Sequence, residues 1–175
     1  GLANAAEMLG YMYATNEFLE FTERVLEMLR DEAYSTSADL AAEKGSFPLY
    51  QHDYYTVGNF FKTLPDWLQS KIKTLGIRNS LLTSIAPTGT ISLTADNVSS
   101  GIEPPFSLFY DRTIQLFDGA KTERVEDYAY RYGVSGKTAN EISAQDHLKV
   151  LALAQRYIDS ACSKTCNVGD HVTFD

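Results

Sequence analysis

Helical spacing dominates the first half of the chain. Residues 1–14 are rich in Ala, Leu and Met; Asn16 then stands where a cap belongs, and Phe18, Phe21, Val25 and Met28 follow at spacings of three and four. This predicts a long helix with one buried stripe, stopped by Gly45. Glu17, Glu20, Glu23, Glu27, Asp31, Glu32, Asp39 and Glu43 fill the same segment and form its solvated face. A further helix is marked by Pro65 in the first turn with Asp66 behind it. Leu68, Ile72 and Leu75 supply its apolar positions, Lys71 and Lys73 come late, and Gly76 lies just beyond.

From Asn79 the pattern shortens. Residues 81–86 (Leu-Leu-Thr-Ser-Ile-Ala) form a β-prone run ended by Pro87, which predicts a strand entering a turn. Residues 106–117 hold a second β-prone stretch. Ser143 and Asp146 have the spacing of a capping box, opening a helix that carries Leu151, Ala154, Ile158 and Ala161; residues 165–168 then read as a strand. Helices separated by short apolar strands predict a parallel α/β arrangement, because parallel strands need crossover connections. No internal repeat or low-complexity tract interrupts residues 1–175, and length predicts one domain. Neither end reads as a domain edge: Gly1 enters a helix at once, and Val172, Thr173, Phe174 and Asp175 follow a strand without a closing element.

Composition narrows the class. With 44% hydrophobic and 22% charged residues, 11 tyrosines, nine phenylalanines and one tryptophan, the chain is not globally disordered. A net charge of −8 without a basic patch argues against nucleic-acid binding. No apolar run reaches membrane-spanning length and no secretory leader opens the sequence, so a cytoplasmic address is expected. Cys162 and Cys166 are too few for a disulfide framework and lack the further ligands of a zinc site, so no metal is expected.

The most informative local chemistry is Pro87, Thr88, Gly89, Thr90, Ile91 and Ser92. Glycine lets a backbone approach a ligand, small neighbours leave amides uncovered, and the hydroxyls add donors. A helix starting after the turn would aim its free amides at the same point and favour a phosphate. An ordinary Pro-Gly turn is the competing reading. A Cβ at Gly89 is expected either to block the ligand or to strain a positive φ. Gly136-Lys137-Thr138 lacks the upstream glycine of a nucleotide-triphosphate loop, since Arg131 stands there, and reads as a polar surface loop. Asn97-Val98-Ser99 has glycosylation spacing but no secretory signal precedes it. Cys162 and Cys166 share a face if the last helix runs through both, as buried apolar residues or as a redox pair. His52, His147 and His171 have no catalytic spacing. Glu103, fixed between Gly101 and the pair Pro104-Pro105, is either a held functional carboxylate or a structural one.

Taken together, Ile77-Arg78-Asn79-Ser80-Leu81-Leu82, Ile85-Ala86-Pro87-Thr88-Gly89-Thr90-Ile91-Ser92 and Asn97-Val98-Ser99-Ser100-Gly101-Ile102-Glu103-Pro104 resemble the catalytic chain of ribonucleotide reductases. The wording is closest to the adenosylcobalamin-dependent, class II branch. Gly1-Leu2-Ala3, Glu43-Lys44-Gly45-Ser46-Phe47-Pro48 and the segment from Asp159 to Val168 resemble family segments in the same order, so the resemblance covers essentially the whole chain. It implies the C-terminal portion of a ten-stranded α/β barrel, helix-rich, in which Pro87, Thr88, Gly89, Thr90, Ile91 and Ser92 bind substrate phosphates and Glu103 supports them. It further implies an oxidoreductase of deoxyribonucleotide biosynthesis for DNA replication, converting a ribonucleotide by a thiyl radical with adenosylcobalamin bound by the complete enzyme.

The family's Asn-x-Cys-x-Glu segment is absent, so the radical cysteine, asparagine and glutamate are expected upstream. No catalytic residue is assigned here, and Cys162 and Cys166 fall where the family commonly carries apolar residues. The implied partners are a ribonucleotide and the N-terminal portion of the same enzyme, with self-association through unpaired edges and no membrane. A class I, iron-dependent large-chain fragment and a non-catalytic nucleotide-binding module are the alternatives.

Overall fold

The computed structural model of the chain describes residues 1–168; His171 and residues 172–175 lie outside the described residues. The described residues form helices α1 (Leu2–Met8), α2 (Asn16–Lys44), α3 (His52–Thr56), α4 (Asp66–Leu75), α5 (Ile91–Thr94), α6 (Tyr128–Arg131) and α7 (Ala144–Gln155), with 3-10 turns at Phe61–Thr63 and Ala139–Glu141. One antiparallel hairpin pairs β1 (Phe109–Leu116) with β2 (Gly119–Glu126). The chain divides into two compact units. The first holds Gly1–Glu23, Ile85–Ala154 and the described residues from Cys162; the second holds Arg24–Ser84 and Gln155–Ala161.

The second unit is built on an aromatic-rich core in which Tyr34 and Ala38 of α2 pack with Phe61, Leu64, Leu68, Ile72 and Ile77. Helix α4 starts one residue later than its sequence predicts, with Pro65 at the N-cap position instead of in the first turn, and ends as expected at Gly76, at φ 80. A Cβ at Gly76 would meet the Ser46 hydroxyl, which would have to rotate away, and the positive φ is what favours glycine here. The α2 stripe differs from expectation. Phe18 is buried, but Phe21 and Val25 are only half-buried and Met28 is exposed. The face of α2 buried in this unit carries Leu26, Arg30, Tyr34, Ser37, Ala38 and Ala41. Arg30 belongs there because its guanidinium lies 4.9 Å from the centre of the Tyr157 ring and bonds Asp31 at 2.7 Å.

Asp159 replaces the strand expected over 81–86. Its carboxylate accepts from the amides of Leu82 (2.7 Å) and Thr83 (2.9 Å), from the Thr83 hydroxyl (3.1 Å) and from the Tyr34 phenol (2.7 Å). A side chain thus takes amide bonds that a β-ladder would otherwise supply. The amides of Asp159 and Ser160 turn back to Thr83, and the Gln155 side chain donates to the carbonyls of Ile158 and Ser160. Helix α7 therefore ends at Gln155 instead of continuing to Ala161, and Cys162 and Cys166 do not share a helix face.

Among the described residues of the first unit, parallel pairing is limited to an isolated bridge between Ile85 and Cys162, with the Ser163 amide donating to the Ile85 carbonyl at 2.8 Å. Residues 165–168 are not a strand. The core comprises Ala3, Ala6, Tyr13, Phe18, Ile102, Ala129, Ile142 and Val150. The Tyr13 and Phe18 rings lie 4.5 Å apart, and the Tyr13 hydroxyl donates to the Ile102 carbonyl at 2.7 Å. The expected β-prone stretch is β1. Its partner β2 follows a two-residue turn, Phe117-Asp118, after which Gly119 at φ 133 opens the strand opposite Leu116. The hairpin is largely exposed, steadied by Arg124 against Asp111 and against the Phe109 ring.

Candidate functional site

Two sequence motifs far from α1 are joined by one buried asparagine of that helix. The Asn4 side-chain amide donates to both Asp127 carboxylate oxygens at 3.0 Å, its carbonyl accepts the Ser99 amide at 2.5 Å, and its backbone amide reaches the Ser99 hydroxyl at 3.2 Å. Asp127 also accepts from the Tyr130 amide, capping α6. Residues 97–105 are thereby held from below. Above them lies the turn 87–92. Thr88 adopts φ 52, and its hydroxyl oxygen accepts the Gly101 amide at 2.7 Å while its carbonyl accepts the Ser92 amide at 2.9 Å. Gly101, at φ 49, lets the two segments touch: a Cβ there would sit 3.0 Å from the Ala86 carbonyl oxygen.

The left-handed residue of the turn is therefore Thr88, not Gly89. A β-branched residue in this region costs about 1–2 kcal/mol, which the hydrogen bonds from Gly101 and Ser92 offset. A Cβ added at Gly89 meets nothing within 4 Å and Gly89 has no positive φ, so neither packing nor backbone strain calls for that glycine. Among the described residues the amides of Gly89, Thr90 and Ile91 donate to nothing, and all three residues are exposed. The Ser92 hydroxyl is turned inward, donating to the Gly89 carbonyl at 3.0 Å with the Ser100 hydroxyl 3.3 Å away. Among the described residues the Thr90 hydroxyl has no hydrogen-bond partner.

A cavity of about 500 Å³ opens between these segments, lined by Gly89, Ser92, Asn97, Ser99, Ser100, Glu103, Pro104, Pro105, Phe106, Tyr110, Asp127, Ala139, Thr165 and Asn167, among others. Gly89 and Ser92 reach it; Pro87, Thr88, Thr90 and Ile91 do not line it. Its volume and mixture of apolar and hydroxyl-bearing walls suit a small polar ligand. Glu103 is held firmly. Its carboxylate accepts the Thr165 amide at 2.6 Å and pairs with the buried ammonium of Lys164. Lys164 also bonds His147 Nδ1 at 2.8 Å, and His147 Nε2 lies 3.1 Å from the Ala139 carbonyl. Burial, followed by the Lys164 charge, depresses the imidazole below its ordinary value against the opposing hydrogen bond to Ala139. The sequence marks neither Lys164 nor His147; a lone lysine between Ser163 and Thr165 carries no local signal of burial.

Beneath the site lies Glu7, buried in α1 with neither carboxyl oxygen in hydrogen-bonding geometry. Burial and then the neighbouring Asp127 charge push its carboxyl up to about 7, with approaches from Asn4 and the Lys137 amide offsetting this only in part. Gly136 is packed directly onto Glu7, so the loop at 136–138 is not only surface: a Cβ would occupy the carboxyl's place. Thr138 caps the following turn with Glu141. Ser99 is buried and the Asn97 side chain donates to the Glu126 carbonyl at 2.8 Å, which removes this pair as a glycosylation acceptor. Cys162 is half-buried, which pushes its thiol up and disfavours the thiolate, and Cys166 is exposed. Among the described residues no three His, Cys, Asp or Glu side chains group as a metal site, and no helix is long and apolar enough to cross a membrane.

Residues 1–132 match the family described as ribonucleotide reductase, barrel domain. Over 203 residues the chain is 32% identical to a vitamin B12-dependent ribonucleoside-diphosphate reductase of Mycobacterium tuberculosis, covering all of this chain and 27% of that protein. A protein of the same description from Thermoplasma acidophilum is also 32% identical, covering 99% of this chain and 24% of its own length. The ribonucleoside-diphosphate reductase 1 subunit alpha of Escherichia coli is 26% identical over 95% of this chain and 24% of that protein. The chain spans about a quarter of the length of these relatives. With the match running through both motifs that meet at the cavity, the chain belongs to the ribonucleotide reductase barrel-domain family.

Proposed function

We propose that this chain is the C-terminal part of a ribonucleotide reductase catalytic chain of the adenosylcobalamin-dependent branch, and that its turn at 87–92 holds the phosphates of a ribonucleotide. The observation that carries the reading is the set of unused amides on Gly89, Thr90 and Ile91, in a turn of which Gly89 reaches the cavity. Backbone amides and a free hydroxyl bind phosphate oxygens without reporting how many phosphates follow. Thr88 and Gly101 position the turn, and Ser92 keeps it closed. The ten-stranded barrel belongs to the complete enzyme, to which this chain contributes helices and the short parallel contact at Ile85.

The branch assignment is supported by the names of the 32% identical relatives and by the Ala86–Ser92 wording; those at 26% are named as reductase alpha subunits without reference to the vitamin. The residues described here do not themselves fit adenosylcobalamin. The cavity is at the small-ligand end of the usual range, its titratable lining is Glu103, Tyr110 and Asp127, and among the described residues no imidazole lines it. We place the cofactor, the radical cysteine and the Asn-x-Cys-x-Glu segment in the remainder of the enzyme, and expect the chain alone to be without reductase activity. Within the complete enzyme, what these residues do is bind and orient the nucleotide, which lowers the entropic part of the barrier.

The test is a pair of substitutions in the reassembled enzyme. Thr90→Ala removes one charge-assisted hydrogen bond, and a loss of about 1.5–2 kcal/mol corresponds to a roughly 10- to 30-fold fall in kcat/KM. Gly89→Val, in open space, is expected to leave thermal stability unchanged while lowering kcat/KM at least as much. If both variants turn over substrate within about twofold of the unaltered enzyme, the phosphate assignment is wrong.

A further inference from the structure

Lys164 is the most deeply buried cation of the first unit: its side chain is 1% exposed, and its ammonium lies 5.8 Å from the centre of the buried Tyr13 ring. An ammonium has three N–H bonds, and each finds an acceptor here: the Glu103 carboxylate, His147 Nδ1 at 2.8 Å and the Thr165 carbonyl at 3.1 Å. Because Lys164 has only donors, Nδ1 of His147 must accept, which leaves Nε2 carrying the proton toward the Ala139 carbonyl. The ring is a neutral imidazole of one tautomer, and the cluster's formal charges cancel between Lys164 and Glu103.

Lys164 does not line the cavity, yet the residues its network fixes do: Glu103, Thr165 and Ala139 are all wall residues. Glu103 is clamped twice, by the Lys164 ammonium and by the Thr165 amide. A wall carboxylate without its cation would repel an incoming phosphate in a space where water screens poorly.

We infer that Lys164 is a positioning residue for an anionic nucleotide: it neutralises Glu103 and, through Thr165 and the fixed tautomer of His147, sets the cavity wall opposite the turn at 87–92. The inference rests on the phosphate reading of that turn and adds to it a residue that never touches the ligand. Lysine does this as a point charge with three independently aimed donors; the planar fork of arginine fits the three directions poorly.

The test compares ADP with adenosine in the reassembled enzyme by equilibrium titration. Lys164→Met is expected to weaken ADP at least tenfold and adenosine less than threefold, because the exposed Glu103 charge acts on the phosphates. The double variant Glu103→Gln with Lys164→Met is expected to recover ADP affinity to within about threefold, which lost packing alone could not do. The 15N shifts of His147 are expected to change from the single Nε2–H pattern to a tautomer mixture in Lys164→Met. Equal ADP affinity in Lys164→Met and the unaltered enzyme, or equal losses for ADP and adenosine without rescue by Glu103→Gln, overturns the inference while leaving the phosphate turn standing. Failure of the unaltered enzyme to prefer ADP over adenosine overturns the phosphate reading, and the inference with it. Should Lys164→Met not fold, Lys164→Gln, which also removes the charge but keeps a polar head, is read in the same way, with equal losses for ADP and adenosine counting against the inference.

Discussion

Exchange of Asp159 for alanine is expected to destabilise the chain by about 4 kcal/mol, read as a fall in the denaturant midpoint with an unchanged slope. Four donors converge on this carboxylate: the Leu82 and Thr83 amides, the Thr83 hydroxyl and the Tyr34 phenol. The deletion leaves them without an acceptor, and each sufficiently buried orphan donor costs about 1–3 kcal/mol. The partial burial of the site allows water to reclaim some of this, which is why the expected value lies at the low end of the sum. Partial burial pushes the Asp159 carboxyl up, but the hydrogen bonds from Tyr34, Thr83 and Leu82 outweigh it and hold the group below its ordinary value. The sign follows: its stabilisation is present above the unfolded-state value near 4 and is lost as pH falls through the lowered folded value. Asp159→Asn, which keeps one acceptor oxygen, is expected to recover part of the loss. An alanine variant within about 1 kcal/mol of the unaltered chain would refute the role given to this knot.

The second large effect has the opposite sign. Burial and the Asp127 charge raise the Glu7 carboxyl from 4.5 to about 7, so the folded chain holds a proton that the unfolded chain releases. Stability contributed by the protonated group is fully present below about pH 4.5 and falls as pH rises to about 7, above which both states are ionised and the curve flattens. The gap corresponds to about 3 kcal/mol. Glu7→Gln keeps the shape and removes the titration. It is expected to match the unaltered chain near pH 4 and to exceed it by about 3 kcal/mol at pH 8, measured as the difference between the two denaturation curves. Asp127 is the charge facing Glu7 across the Asn4 side chain, so Asp127→Asn should reduce the pH dependence attributable to Glu7, although it also weakens the α6 cap. A pH-independent difference between Glu7→Gln and the unaltered chain would show that Glu7 ionises normally in place.

Local signals carried the elements whose ends are set within a few residues. Helix α4 starts after Pro65 and stops at Gly76, and α7 opens on the Ser143 and Asp146 pair, with the Asp146 amide bonded to the Ser143 hydroxyl at 3.1 Å. The two motifs at 87–92 and 97–104 were legible for the same reason: glycines, prolines and hydroxyls declare turns and uncovered amides. The family resemblance they support is borne out by the match over residues 1–132.

What the sequence by itself determined is therefore where the chain turns, which helices begin and end sharply, and which loop has amides to offer. Tertiary structure decided the rest, because the deciding partners lie far away in the chain. Asp159 takes the amides of Leu82 and Thr83 and so prevents the strand their β-branched neighbours favour. Thr88 is driven to φ 52, where glycine would ordinarily stand, because Gly101 and Ser92 bond it there. Lys164, unremarkable beside Thr165, becomes a buried charge only when Glu103 and His147 close around it. Spacing along a chain encodes local backbone geometry; the desolvation of a charge and the satisfaction of a buried donor depend on what packs against it, and those are properties of the folded whole.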